Sequence, residues 1–266
     1  MSRMRPGRRA LASISAGLTV AVFAAPVLVV AARGLPTESA LAAAAGSAFV
    51  RAGASGPGAD SRGLDELVSI WRDFHFVKAT LAVLLVIALL RLTAVLSQEA
   101  RSAGTRRARW AVLAAYGGTL SWMLAAATIV LANLQGAVAP LASVASLIPA
   151  AQPSADVGAA LGDIRQAVEL DPAPPSGVAG ELLADFGWYH AIFAIEASLV
   201  GGLLTALALR AGRDGWRRRS QAMGSATWPW RLGLFGPVGA FFLVVASANA
   251  STWLNPAPAL VASLGG

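Results

Sequence analysis

Five stretches of this chain are apolar over about 20 residues each, the length of helix that crosses roughly 30 Å of hydrocarbon. They are Leu11–Ala32, Phe76–Ser97, Trp110–Leu131, Trp188–Leu209 and Leu232–Ala250. Lipid offers no hydrogen bonds, so a spanning segment must satisfy its own N–H and C=O groups as a helix or within a closed barrel. These runs lack the apolar–polar alternation of barrel strands, which leaves helices. Composition points the same way. Of 266 residues, 56% are hydrophobic and 13% charged, with a mean hydropathy of +0.62. So little charge excludes a disordered chain and cannot coat a soluble core. The expected fold is an all-α integral membrane protein with five transmembrane helices.

The charges set an orientation. Basic residues outnumber acidic ones 21 to 14, and all but Lys78 are arginines. Three segments are strongly basic: the N-terminus (Arg3, Arg5, Arg8, Arg9), the loop with Arg101, Arg106, Arg107 and Arg109, and the loop with Arg210, Arg213, Arg217, Arg218, Arg219 and Arg231. The segments between them are balanced or acidic; residues 133–187 carry Arg165 alone against six acids. Threading five spans puts the basic segments on one side, and the positive-inside rule makes that side cytoplasmic. The N-terminus is then cytoplasmic and the C-terminus extracytoplasmic. The arginine excess becomes a topology and lipid-surface signal rather than a nucleic-acid site, so no nucleic-acid partner is expected. The arginine bias, with abundant Ala and Gly, suggests a bacterial plasma membrane. The first span reads as an uncleaved signal-anchor, longer than a signal-peptide core; cleavage near Val30 and Ala32 is the alternative.

The chain also carries an internal echo. Asp73-Phe-His-Phe-Val-Lys-Ala79 matches Asp185-Phe-Gly-Trp-Tyr-His-Ala191 at an offset of 112, and Asn133-x6-Pro140 matches Asn249-x6-Pro256 at 116. This predicts a duplicated two-helix hairpin, with the copies related by an axis along the membrane normal. The expected organisation is an arginine-rich N-terminus and anchor (1–32), an outer loop (33–72), a first hairpin (73–149), a connector with an amphipathic helix on Val157, Leu161, Ile164 and Val168 (150–184), and a second hairpin (185–266). Residues 53–63 and the run Pro172, Pro174, Pro175 read as loops. Gly117-Gly118, Gly201-Gly202 and the triplet Gly233, Gly236, Gly239 read as close helix contacts.

No motif carries a reaction. There is no cysteine, which excludes disulfides and thiolate sites, and only two histidines are present. No phosphate loop, nucleophile elbow or zinc helix is found. What remains is a polar intramembrane set, Glu196, His190 and Lys78. At 112, Lys78 stands in the first copy where His190 stands in the second. His75, Asp73 and Asp185 lie at the outer face as possible ligand groups. Glu196 is costly in hydrocarbon and should face the bundle with a partner. The His190 helix and the Asn-to-Pro segments resemble helices of quinol-oxidase-type haem subunits over a short stretch, too short to carry any residue role across. The expected function is a small carrier-like or accessory membrane subunit, not an enzyme and without a resident cofactor. Its partners would be the bilayer and either itself or another membrane protein. The alternatives are a haem- or metal-binding redox subunit and a structural partner of a larger complex.

Overall fold

The computed structural model describes residues 6–54, 62–148, 154–170, 175–220 and 228–264. The glycine-rich stretch 55–61, Arg3, Arg5, Pro172 and Pro174 lie outside the described residues. Those described form nine helices and no strand: α1 Pro6–Ala31, α2 Glu38–Ala54, α3 Arg62–Ser102, α4 Arg106–Val138, α5 Pro140–Ala145, α6 Ala155–Leu170, α7 Gly177–Ser220, α8 Trp228–Leu254 and α9 Ala257–Leu264. Five of them, α1, α3, α4, α7 and α8, are long and apolar enough to cross a membrane. The chain divides into two compact units, residues 1–158 and 159–266.

In the first unit α1 and α4 both pack on α3. The core is Val22 from α1, Ala82, Leu85 and Leu89 from α3, and Ala126 from α4. In lipid the hydrophobic effect supplies little drive between helices, so close packing and interhelical hydrogen bonds must do the work. Trp122 Nε1 donates to Thr19 Oγ1 at 3.0 Å, tying α4 to α1. Arg8 Nη1 donates to Glu99 Oε2 at 2.9 Å, tying the start of α1 to the end of α3. The first span is therefore an integral third helix of this unit.

The turn between α3 and α4 is three residues long, which forces an antiparallel pair. Thr105 caps α4, its hydroxyl accepting from Ala108 N at 3.2 Å and satisfying an otherwise orphan N–H. At the far end Ala139 N still donates to Gln135 O. Pro140 then opens α5, a first-turn position where its missing N–H costs nothing.

The outer segment is not loop throughout. Residues 38–54 form α2, started by Thr37 Oγ1 accepting from Ala40 N at 3.1 Å. Its alanine face and Phe49 are buried. A Cβ on Gly46 would sit 2.9 Å from Val157 Cγ2, so that close approach to the start of α6 needs glycine. On α6, Val157, Leu161, Ile164 and Val168 are buried and Asp156, Asp163 and Glu169 exposed.

The second unit is built on the α7–α8 pair, with α9 folded back on α7. Residues early in α7 meet residues late in α8 and the reverse, so the pair is antiparallel. The helices cross where Gly201 meets Gly239: a Cβ on Gly239 would lie 2.8 Å from Thr205 Oγ1 and one on Gly201 would lie 3.0 Å from Gly239 O. Gly117, Gly118, Gly202 and Gly236 face open space instead.

Candidate functional site: two histidine–asparagine clamps

Each unit carries one histidine, and each histidine is held by an asparagine on the antiparallel helix. In the first unit His75 Nδ1 lies 2.9 Å from Asn133 Oδ1. In the second, His190 Nδ1 lies 2.7 Å from Asn249 Oδ1. The asparagines are oriented from below. Asn133 Nδ2 donates to Ile129 O at 2.7 Å, and Asn249 Nδ2 donates to Val245 O at 2.9 Å, each to the carbonyl four residues back. With its amide N–H spent on the helix backbone, each asparagine offers its oxygen to the ring. The imidazole must then donate from Nδ1, which leaves the Nε2 lone pair as acceptor in the neutral ring.

The rings are also packed alike. His75 meets Trp71 edge-on at 4.7 Å and Phe74 at 5.3 Å. His190 meets Phe186 at 4.6 Å and Tyr189 at 5.7 Å. Both histidines follow one aromatic four residues back and another immediately before.

The other face of each ring differs. In the first unit Trp71 Nε1 donates to Ser143 Oγ at 2.9 Å, and Ser143 Oγ lies 3.4 Å from His75 Nε2. Both ring nitrogens are thus engaged, in a chain running from Trp71 through Ser143, His75 and Asn133 to Ile129. Gly136 closes the same side, because a Cβ there would fall 2.5 Å from Nε2. In the second unit Phe186 stands in place of the tryptophan, and no described residue hydrogen-bonds His190 Nε2.

Aligned on these bonds, the two pairs match at a different offset from the sequence echo. His75 answers to His190, 115 residues apart, rather than Lys78 to His190 at 112. Lys78 instead places Nζ 5.3 Å from the centroid of the Phe74 ring, one turn back. Asp73 lies 4.0 Å from Arg33, which follows the end of α1. Asp185 is half-buried on α7. Glu196 is buried on α7, about 9 Å along the helix from His190 at 1.5 Å per residue, and corresponds to Leu81 of the first unit. Lys78 and Glu196 belong to different units. The pattern aromatic-x-x-aromatic-His, present as Trp71–His75 and Phe186–His190, is the sequence signal for the clamps.

A cavity of about 240 Å³ adjoins the first clamp, lined by Val27, Val30, Leu35, Trp71, Phe74 and Leu147 among others. Another of about 360 Å³ lies in the second unit, walled by Trp188 and Trp253, whose rings are 6.5 Å apart. No cluster of three or more His, Asp or Glu suited to a metal ion occurs among the described residues. The chain matches no family model, no curated protein and no solved structure.

Proposed function

We propose that this chain is an accessory subunit of the bacterial plasma membrane, a scaffold of two hairpins derived from one by duplication. The matched His–Asn clamps are the observation that supports this reading most. In each, the Nδ1–H and the asparagine oxygen are committed to joining two helices, the work of an interhelical lock. In lipid such bonds contribute about 0.6–2 kcal/mol each, enough to fix the register of helices that packing alone holds loosely. The duplication is further supported by Asn133-x6-Pro140 and Asn249-x6-Pro256, which close both hairpins at one offset.

The N-terminus is cytoplasmic and the C-terminus extracytoplasmic, on the arginine distribution. The first span is retained as an anchor, because cleavage after Ala32 would remove Val22 from a core and Arg8 from Glu99. Reporter fusions after residues 104 and 220 should read inside, and fusions after 160 and 266 outside; a cytoplasmic C-terminus overturns the topology. Native mass measurement on gently solubilised membranes tests the subunit role, with a complex heavier than one chain expected and a lone monomer refuting it.

A second reading rests on one observation, the acceptor nitrogen His190 leaves over. An imidazole whose Nδ1–H is fixed by a carbonyl oxygen is oriented as metal-ligating histidines are. A Soret band in the purified protein selects a haem-binding subunit. Its absence after supplementation with haem removes that reading.

A further inference from the structure

We propose that the chain pairs with a second copy of itself through one face of α7, the stripe Leu199, Leu203, Leu207, Arg210 and Asp214, with Arg210 of each copy against Asp214 of the other. At 3.6 residues per turn these five side chains leave α7 within about 40° of Leu203. Leu199, Leu203 and Leu207 are 70%, 62% and 40% exposed. Gly201 and Ala208 are buried on the opposite side of the helix, and on the stripe's own side burial is met two turns before Leu203, at Glu196.

The first unit shows what the Leu203–Leu207 part of this face does when it is covered; the position matching Leu199, Leu84, stays 47% exposed there. In the register set by the two histidines, Leu203 and Leu207 correspond to Ala88 and Leu92 of α3, which are 7% and 8% exposed. There α1 lies along α3, and its Arg8 pairs with Glu99 at 2.9 Å. Glu99 corresponds to Asp214. The second unit keeps the apolar face and the acid at its end, but among its described helices none stands where α1 stands in the first.

Charge identifies the occupant. In the first unit the acid is on α3 and the base on the covering helix. In the second, Arg210 and Asp214 are both on α7, one turn apart on the same stripe. Both are exposed, and neither is ion-paired among the described residues. A foreign helix would need to bring both an acid for Arg210 and a base for Asp214. A stripe carrying both signs is complementary to itself under a twofold axis, which is what an isologous interface requires. Two parallel α7 helices then bring each Arg210 to the other's Asp214, so the pair does twice what Arg8 and Glu99 do once.

The natural chain has no cysteine, so one introduced thiol reports on this contact alone. In oxidised membrane vesicles holding the full-length protein, Leu203→Cys should give a disulfide-linked dimer. Leu209→Cys is a control, 58% exposed but about 120° away around the helix; it should link at least about fivefold less. If Leu203→Cys fails to insert, Leu207→Cys replaces it. Arg210→Glu and Asp214→Arg should each lower the dimer fraction about fivefold, and the two together should restore it. Equal linking at 203 and 209 overturns the proposal, as does a double charge swap no better than either single change. A native mass showing one copy of this chain with a different polypeptide overturns it too, while leaving the accessory-subunit reading intact.

Discussion

His75 and His190 each have an asparagine partner on the antiparallel helix and an aromatic neighbour one turn back, yet among the described residues only His75 has its second nitrogen engaged. Two differences account for this. Trp71 of the first unit is answered by Phe186, which has no N–H to orient a hydroxyl. Ser143 is answered, at the offset of the asparagines, by Ala259, which has no hydroxyl. With both gone, the hydrogen-bonded chain ends at the ring. The comparison separates two jobs that look alike in sequence. An asparagine on Nδ1 fixes where the ring points, and what meets Nε2 decides whether the ring is closed or available.

The largest effect that would break this comparison comes from Gly136, whose added side chain would overlap the His75 ring. Gly136→Leu should cost about 3 kcal/mol, from steric displacement plus a lost half-buried hydrogen bond. A thermal melt in detergent measures it, and an unchanged midpoint means the ring is not confined. Next is Asn133→Ala, which removes a buried partner from the half-buried His75 N–H and should cost about 2 kcal/mol; Asn249→Ala, where the asparagine is half-buried, should cost about 1. Equal losses would argue that the two clamps are equivalent after all.

A sharper test uses the fact that the chain has only two histidines. Diethyl pyrocarbonate should modify His190 faster than His75. Giving the first unit the second unit's residues, with Trp71→Phe and Ser143→Ala together, should raise the His75 rate about tenfold, equivalent to about 1.4 kcal/mol of lost protection. No change in rate would show that Gly136 alone shields the nitrogen. The smallest effect is at the end of the helices. Arg8→Ala should cost about 0.5 kcal/mol at low salt and less at high salt, since the pair is partly solvated.

Much of the fold is legible in the sequence, because spanning a membrane demands long apolar runs and little else produces them. The ends of those runs are less legible. Hydropathy places the second span at Phe76; the helical spacing of Leu64, Leu67, Val68 and Trp71 carries the helix outward beyond it, and α3 indeed begins at Arg62 with Leu64, Leu67 and Ile70 buried. The helix α2 escapes the same logic. At 17 residues with Glu38 and Arg51 it is too short and too charged to read as a span, and only the Thr37 cap before an alanine run marks it. For the clamps, Asn133 and Asn249 stand out through their spacing to proline. The histidines do not, because the Asp-Phe match at 112 sets Lys78 opposite His190. A shift of three residues keeps the helical face nearly unchanged, so apolar periodicity cannot choose between 112 and 115. Only the hydrogen bonds do.

The lengths of α3 and α7 have one more consequence. They run unbroken for 41 and 44 residues, about 60 Å and more, against roughly 30 Å of hydrocarbon. Each is a rod that projects on both sides of the bilayer. Tilting such a rod by 10° about its midpoint swings each tip by about 5 Å in opposite directions. A force applied to one end therefore arrives at the other as a sideways stroke of several ångströms, without any helix having to break or slide.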